Sequence, residues 1–497
     1  MGSVGKSILL VNPEKQDDFP VNRINTGLCI VGSILVTNGH KVKLMDYAFL
    51  RDLKLKIRVP EIGEVIEEFK PDVIGVSVYT YLCDECKAMI EKISRCTKAP
   101  IILGGPHFKV FPEDMNDDNR ISYIVRGEAE LVIASLVEDA KPDHAPVIID
   151  APLPSPDQIP AINLDIVYGN QYLPVYQIQL SRGCPHKCSF CCVGTIAGKR
   201  VRARDLETCL NQIIEAKRSY PNIEVIDITD DCPTFDIGRF KRFLRMFSQA
   251  NTGCRFGVDN MRADLIDQEM IDLYKAAGGA NIRLGVESGH SEVFKLIRKG
   301  ESLKDIIKAA KLIRKNGLSL GLCFVIGLPT DNMERHSYSI KLAKALKPDY
   351  VFWNMCVPWP NTEVHEWFQT YGEIGNVRNV SSLIDPRVNF MEPIASSYDF
   401  PKEQRIKAWL MANMETTQNY LCNPRDVGKL FLYTVKYRLY LSFFFYILKS
   451  FSPAVARSIR SRTINSGDFL VQMMKRAYVL IQQKLIKHSV QAQAQKM

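Results

Sequence analysis

The sequence predicts an α/β protein with an N-terminal doubly wound parallel sheet, a central partial (β/α)6 barrel and a helical C-terminal region. Two observations predict this fold. Short apolar runs, typical of buried strands, alternate with helical patterns through most of the chain. Glycine, acidic or amide residues follow these runs, at the strand ends where ligands bind in parallel sheets. The 497 residues allow two or three domains.

We expect four regions along the chain. Residues 1–140 form the N-terminal sheet domain, 141–174 a proline-rich linker, 175–375 the barrel and 376–497 the C-terminal region. The linker contains seven prolines from Pro142 to Pro174. Because proline fixes φ and removes a backbone donor, this segment is expected to be extended and semi-rigid.

The composition is that of an ordinary soluble protein, with 46% hydrophobic and 24% charged residues. We see neither a basic-then-apolar leader nor an apolar run of about 18 residues, so a cytoplasmic location without a membrane span is expected. The fourteen cysteines are then not a disulfide framework.

Five apolar runs in residues 1–140 are expected to form the parallel sheet. They are Lys6–Val11, Lys41–Met45, Asp72–Val78, Pro100–Leu103 and Ser122–Val125. Turn residues follow three of them, at Ser77–Tyr81, Gly104–His107 and Gly127–Glu128. Paired glycines let a large flat ligand approach the backbone. Cys83 and Cys86 form a C-x2-C pair, which we interpret as two thiols on one face of a helix.

Six further runs are expected to form the barrel, with functional groups at their carboxyl ends. They are Val175–Leu180, Val225–Thr229, Arg255–Val258, Ile282–Val286, Leu318–Ile326 and Tyr350–Asn354. The first leads into Cys184, Cys188 and Cys191, in a C-x3-C-x2-C spacing. Three thiolates leave one iron of a four-iron cluster without a protein ligand, because each iron takes one. The alternative, a zinc knuckle, needs a fourth ligand, and neither His186 nor Cys192 is well placed for it.

This cysteine loop, with Phe190 before its third cysteine, resembles that of the radical S-adenosylmethionine (SAM) enzymes. The resemblance implies a [4Fe-4S] cluster whose open iron binds SAM. It also implies SAM contacts after each barrel strand. These are Phe190 in the loop, the Asp230-Asp231 turn toward the SAM ammonium, Arg262 on its carboxylate, Glu287 on the ribose, Gly327 in a glycine-rich fifth-strand motif and Asn354 at the adenine.

The order of turns in residues 1–140 resembles the cobalamin-binding domain of the cobalamin-dependent radical SAM enzymes. The resemblance implies that cobalamin binds at the strand ends of the N-terminal sheet. The residues expected to contact it are Ser77, Tyr79, Gly104, Gly105, His107, Gly127 and Glu128. The Asp-x-His-x-x-Gly motif, which supplies a cobalt-ligating histidine in other cobalamin proteins, is missing from this sequence.

The C-terminal region is basic and aromatic. Residues from Leu430 onward contain eleven Lys and Arg against one acid, so the rest of the chain has a net charge of −1 out of the total +9. We consider helices that cap the barrel, a peripheral membrane contact, and a pocket for a hydrophobic substrate with acid groups. Nucleic acid is the least favoured partner. Pro401–Leu421 is expected to be helical.

The resemblance implies a C-methyltransferase that acts on an unactivated sp3 carbon of a large hydrophobic intermediate. A tetrapyrrole, such as a bacteriochlorophyll precursor, is the first choice of substrate and a hopanoid-type lipid the second. An electron donor of the flavodoxin or ferredoxin type is the implied partner. Two alternatives stay open, namely an oxidative cyclase or ring-rearranging enzyme with the same cofactors, and a non-catalytic cobalamin or redox sensor.

Overall fold

The computed structural model describes residues 5–14, 23–51, 53–54, 56–142, 145–377 and 393–416. Its N-terminal part is a parallel sheet of six strands in the order β2-β1-β3-β4-β5-β6. The strands are β1 (Ser7–Asn12), β2 (Lys41–Asp46), β3 (Val73–Ser77), β4 (Ile101–Gly104), β5 (Tyr123–Arg126) and β6 (Val147–Asp150). The order reverses between β1 and β3, which places a ligand crevice at their carboxyl ends.

Helices flank this sheet, and their apolar faces complete its core. They are α1 (Thr26–Thr37), α2 (Tyr47–Arg51), α3 (Ile62–Phe69), α4 (Cys83–Cys96), α5 (His107–Val110) and α6 (Ile133–Asp139). The strands are apolar on both faces, as expected for a parallel sheet covered by helices. Full burial (0% exposure) is seen for Ile8, Leu9, Ile74 and Leu103.

The sixth strand, β6, corrects one expectation. We expected residues 141–174 to be an extended linker, but Val147–Asp150 pairs in parallel with β5, residue for residue from Tyr123 to Arg126. The prolines of the segment flank β6 and do not interrupt it, so its backbone donors stay available to the neighbouring strand. The N-terminal sheet therefore extends beyond residue 140.

The second body is a partial barrel made of two three-stranded parallel sheets. In chain order its strands are β7 (Val175–Ile178), β8 (Ser181–Arg182), β9 (Arg202–Ala203), β10 (Val225–Ile228), β11 (Arg255–Val258), β12 (Asn281–Glu287), β13 (Ser319–Ile326) and β14 (Tyr350–Met355). The sheets have the orders β11-β10-β7 and β12-β13-β14, and a parallel bridge between Phe256 and Gly279 joins them. β8 and β9 form a short antiparallel pair beside the cysteine loop.

Helices cover the outside of the barrel. They are α7 (Val193–Ile196), α8 (Leu206–Ser219), α9 (Ile237–Ala250), α10 (Gln268–Ala276), α11 (Ser291–Leu296), α12 (Leu303–Lys315), α13 (Met333–Leu346) and α14 (Glu363–Tyr371). Side chains that accept a backbone N–H cap several of their N-termini, among them Asp205, Asp236, Asp267, Ser302 and Asn332. The six βα units expected from the sequence are confirmed, because each predicted barrel strand is present and is followed by a helix, in the expected order.

The described C-terminal residues pack against the end of the barrel. β15 (Gly372–Ile374) pairs antiparallel with β16 (Ala395–Ser397), and α15 (Lys402–Thr416) follows. Trp409 of α15 donates its indole N–H to the carbonyl of Trp353 in β14, at 3.0 Å. The aromatic and basic stretch from Leu430 onward lies outside the described residues. Within the described residues, no helix combines the length and the apolar character that a membrane crossing requires.

Candidate active site

Two carboxylates at the end of β10 hold the start of the cysteine loop. The buried Asp230 accepts hydrogen bonds from the Leu180 amide at 2.7 Å and the Ser181 hydroxyl at 2.5 Å. Asp231 accepts from the Gly183 amide at 2.8 Å. Burial raises the pKa of Asp230 to about 6. Both carboxylate oxygens of Asp230 therefore bind the chain that enters the loop, and the expected contact of the Asp230-Asp231 turn with the SAM ammonium stays a prediction.

Three thiols of the loop lie close enough to influence one another. Cys184 and Cys188 are half-buried and Cys191 is exposed. Burial and the neighbouring Cys191 raise the pKa of Cys188 to about 11. The Cys191 amide donates to the Cys188 carbonyl at 3.1 Å, which curls the loop. A donor set of three adjacent thiols on one loop fits three corners of an iron–sulfur cluster.

A fourth cysteine, Cys232, touches this set and was missed by the sequence reasoning. Its buried thiol donates a hydrogen bond to Cys184, and this bond holds the pKa of Cys184 below its ordinary value. Hydrogen bonds to cluster sulfurs help to set the reduction potential. Its position directly after Asp230-Asp231, at the end of the second barrel strand, is the signal that could have found it.

The second half of the loop is fixed by its backbone. The Ser189 amide donates to the Ile297 carbonyl at 2.9 Å, and the Ser189 carbonyl accepts from the Val364 amide at 3.1 Å. Phe190 is half-buried and packs against the apolar core. Its expected contact with SAM stays a prediction.

The guanidinium of Arg262, the expected partner of the SAM carboxylate, is hydrogen-bonded on all sides by the protein. It forms a two-pronged pair with Asp264, at 3.0 and 2.8 Å, and donates to the carbonyls of Lys299 and Gly300. Its remaining N–H faces Nδ1 of His186 at 3.3 Å. All five donors of Arg262 therefore face protein atoms, which fixes the guanidinium beside the loop. Its expected contact with the SAM carboxylate stays a prediction.

Glu287, the expected ribose contact, is paired with a lysine that was not foreseen. Lys299 donates to Oε1 of Glu287 at 3.1 Å and to the carbonyl of Gly285. Burial acts against its charge, but Glu287 and Glu301 keep the pKa of Lys299 above its ordinary value. The positive charge of Lys299 acts to lower the pKa of Cys188, against the effect of burial. A buried ammonium therefore stands beside the sulfurs of the loop.

Gly327, at the end of β13, is required by an arginine from the C-terminal helix. It has a φ of +80°, and an added Cβ would lie 2.2 Å from Nη1 of Arg405. Arg405 is 1% exposed and donates to the Gly327 carbonyl at 3.1 Å and the Phe400 carbonyl at 2.7 Å. Asn354 in β14 has an exposed side chain between buried neighbours, so it faces the inside of the barrel.

The interior of the barrel carries charged side chains. Asp227 in β10 pairs with Arg23 of the N-terminal region at 3.0 Å, and burial raises its pKa. Arg283 in β12 pairs with Asp259 after β11 at 2.5 Å and stacks over the ring of Phe352. A substrate that enters the barrel therefore meets charged groups of both signs.

The carboxyl ends of β3 and β4 form the edge where cobalamin is expected. Gly104 presents a bare face, since an added Cβ would meet nothing within 4 Å. Gly105 lies directly against β3, where a Cβ would stand 2.6 Å from the Val78 carbonyl. Ser77 is buried and its carbonyl accepts from the Cys86 thiol at 3.3 Å, while Tyr79 is half-buried at the edge. This edge fits a large planar ligand, and the individual contacts stay predictions.

His107 does not lie at this edge, which corrects the expectation for its side chain. The imidazole is 0% exposed. Its Nε2 lies 2.9 Å from Oδ2 of Asp114, and its Nδ1 lies 3.2 Å from the Thr80 hydroxyl. Both ring nitrogens thus point into the domain. The helix α5 that begins at His107 turns the ring inward, away from the glycine face.

Glu128 joins the cobalamin edge to the cysteine loop. Its carboxylate accepts from Arg182 at 2.5 Å and from Arg202, and Arg182 also binds Glu130 at 2.5 Å. These side chains are between 6% and 14% exposed. Since Arg182 is two residues before Cys184, the end of β5 lies next to the loop. The Glu128 carboxylate is therefore bound to arginines of the barrel, and the expected cobalamin contacts of Gly127 and Glu128 stay predictions.

Comparisons with known proteins agree with this two-body arrangement. Residues 21–137 match the B12 binding domain family, and residues 178–343 match the Radical SAM superfamily. An uncharacterized methyltransferase of Pyrococcus horikoshii is 26% identical over 69% of this chain and 77% of its own. The anaerobic magnesium-protoporphyrin IX monomethyl ester cyclase of Rubrivivax gelatinosus is 24% identical over 70% of this chain and 66% of its own.

A solved structure shares this fold. It is the cobalamin-dependent S-adenosylmethionine radical enzyme OxsB, with aqua-cobalamin and S-adenosylmethionine bound. The alignment covers 97% of this chain and 80% of OxsB, with a TM-score of 0.63 and 17% identity. The expected fold class is confirmed.

Proposed function

Because the chain belongs to the cobalamin-dependent radical SAM enzymes, we propose that it methylates an unactivated sp3 carbon of a large biosynthetic intermediate. Its cofactors are a [4Fe-4S] cluster, SAM and cobalamin. When bound, these groups supply the electron, the hydrogen-abstracting power and the methyl group, and the protein positions them.

The observation that carries the proposal is the link between Glu128 and Arg182. It brings the glycine edge of the N-terminal sheet to the start of the cysteine loop. Methyl transfer requires the methyl donor and the activated carbon to meet, and prepositioning them removes most of the entropic cost of that meeting. A buried ion network at this junction supports the view that the two cofactors serve one reaction.

The residues of the chain then have separate tasks. Cys184, Cys188 and Cys191 would hold three irons, and Asp230 and Asp231 fix the loop that carries them. The barrel wall excludes water from reactive species. No side chain has to act as a general base in this scheme.

For the substrate, we propose a tetrapyrrole with carboxylate groups. Arg283 supports this choice, because a substrate carboxylate could take the place of Asp259 on its guanidinium. The related cyclase of Rubrivivax gelatinosus is named for a porphyrin ester. The same relative favours the alternative outcome, oxidative ring closure, in which no methyl group is transferred.

The test is anaerobic reconstitution with iron, sulfide and cobalamin, followed by turnover with SAM that carries a deuterated methyl group. Extracts rich in tetrapyrroles and extracts rich in lipids are offered separately. We expect 5′-deoxyadenosine, S-adenosylhomocysteine and a tetrapyrrole product that gains the labelled methyl. A product without the label and without S-adenosylhomocysteine would identify a cyclase. If no extract yields 5′-deoxyadenosine, the non-catalytic sensor is the remaining alternative. The Cys188→Ala variant measures the background of product that forms without an intact cluster site.

A further inference from the structure

A cluster of metal-ligating side chains lies behind the cobalamin edge, apart from the cysteine loop. It consists of Cys83 at the start of α4, His107 at the start of α5 and Asp114 in the turn that follows α5. These side chains come from three segments, and the residues are 3%, 0% and 7% exposed, respectively. Such burial distinguishes the cluster from the acidic groups common on protein surfaces.

The ligand atoms of the three residues surround one point. Nε2 of His107 lies 2.9 Å from Oδ2 of Asp114, and Sγ of Cys83 lies 3.6 Å from that oxygen and 4.0 Å from the nitrogen. A tetrahedral zinc ion, with bonds of about 2.3 Å to sulfur and about 2.0–2.1 Å to nitrogen and oxygen, holds its ligand atoms about 3.3–3.6 Å apart. The observed separations bracket this range, so small side-chain shifts would suffice.

We propose that Cys83, His107 and Asp114 bind one Zn²⁺ ion. The donor set of one thiolate, one imidazole and one carboxylate suits zinc better than magnesium or calcium, which take oxygen ligands. Three protein ligands leave one position for a water molecule.

Neighbouring groups orient the ligands as second-shell partners do in zinc proteins. The Thr80 hydroxyl lies 3.2 Å from Nδ1 of His107, which directs Nε2 toward the cluster. The Met115 amide donates to Oδ1 of Asp114 at 3.1 Å, which leaves Oδ2 on the side of the sulfur. Nδ1 of His107 and Oδ1 of Asp114 are thus the hydrogen-bonded atoms, and Nε2 and Oδ2 are the atoms that face the proposed ion.

The ion would fasten together the loops that follow β3 and β4. Cys83 and Thr80 belong to the first loop and His107 to the second, and Gly104 and Gly105 precede His107. Metal binding would therefore stiffen the backbone under the glycine face. Its contribution would be to the folded state of the N-terminal domain and would not depend on the iron–sulfur cluster.

The test uses the full chain with Cys184, Cys188 and Cys191 all changed to alanine, so that zinc cannot occupy the cluster thiols. The protein is produced with added ZnCl2, desalted, and its zinc is measured by mass spectrometry. We expect about one zinc per chain and a more than tenfold loss after Cys83→Ser or Asp114→Asn. The matched control is Cys86→Ser, one turn along α4, whose thiol binds the Ser77 carbonyl and not the cluster.

Replacing zinc by Co²⁺ in the same triple-alanine protein gives a second readout, which needs no substitution at the proposed zinc ligands. Thiolate-to-cobalt absorption in the near ultraviolet is expected in the triple-alanine protein, called the parent here, and in the same protein with Cys86→Ser. A folded parent that binds no zinc, and shows no thiolate-to-cobalt band, would overturn the proposal and leave a hydrogen-bonded Cys–His–Asp triad. Equal zinc in Cys83→Ser and Cys86→Ser would overturn it as well.

Discussion

Glu128→Gln tests whether the two bodies of the protein are held together by a buried ion network. The substitution keeps the size of the side chain but removes its charge. Arg182 would keep Glu130 as a partner, whereas Arg202 would keep only carbonyl oxygens, those of Ala197 and Pro154. The variant thus leaves a guanidinium without a carboxylate at a site where the side chains are 14% exposed or less.

The expected cost follows from this geometry. Removing one partner of a buried ion pair costs about 3–5 kcal/mol, and the amide oxygen of glutamine keeps one hydrogen bond worth about 1 kcal/mol. We therefore expect a loss of about 2–4 kcal/mol. At a urea dependence of about 3 kcal/mol per M, the first unfolding midpoint of the cofactor-free chain should fall by roughly 1 M.

The matched control is Glu113→Gln, in the same domain. Glu113 pairs with Arg126 at 3.3 Å, but its side chain is 80% exposed. Exposed pairs contribute about 0–1 kcal/mol, so this variant should unfold close to the parent. Urea unfolding of all three proteins is followed by far-ultraviolet circular dichroism. Equal midpoints for Glu128→Gln and Glu113→Gln would refute the network.

The effect of Glu128 also has a pH dependence of known sign. Burial opposes its charge, but hydrogen bonds from Arg202 and Arg182 outweigh burial and hold its pKa below the ordinary value. A carboxyl with a lowered pKa in the folded state contributes stability above its unfolded pKa of about 4.3, and this is lost as the pH falls through the folded value. The difference between parent and Glu128→Gln should be constant from about pH 6 to 8 and shrink below about pH 4.

Two further predictions concern the sulfurs and the C-terminal helix. Cys232→Ala removes the hydrogen bond to Cys184 and should lower the cluster potential by about 65–130 mV, since a bond to a charged group is worth about 1.5–3 kcal/mol and about 59 mV, a tenfold change for one electron, is about 1.4 kcal/mol. Redox titration monitored by electron paramagnetic resonance measures it, and an unchanged potential would contradict the assignment. Gly327→Ala should destabilise the protein by more than about 2 kcal/mol through strain and the clash with Arg405, whereas Gly317→Ala, with φ of +74° and no neighbour within 4 Å, should cost about 1 kcal/mol. Thermal unfolding compares the two, and similar melting temperatures would count against the contact.

The alternation of strands and helices was predictable because each element is specified by residues close together in the sequence. Apolar runs such as Val73–Ser77, and the residues that end them, specify which backbone is buried and where it turns. The strand β6 was not predicted, because its apolar pattern is only four residues long and the surrounding prolines favoured a linker. The pairing that stabilises it comes from β5, which lies more than 20 residues earlier.

Side-chain partners were much harder to predict. Glu128 and Arg182 are 54 residues apart, and nothing in a local pattern says that they meet. Motif positions indicated that Asp230 and Arg262 matter, but not that both bind the protein itself. Periodicity reports the buried face of an element, and the identity of a charged partner depends on the tertiary fold.

The central claim is that three cysteines hold a four-iron cluster with one open iron for SAM. The most direct measurement is the iron and sulfide content of anaerobically reconstituted protein, together with its paramagnetic resonance spectrum before and after SAM is added. We predict about four irons per chain and a SAM-dependent spectrum for the parent and for Cys192→Ala, and neither for Cys188→Ala. A Cys188→Ala protein that keeps its iron and its response to SAM would contradict the account.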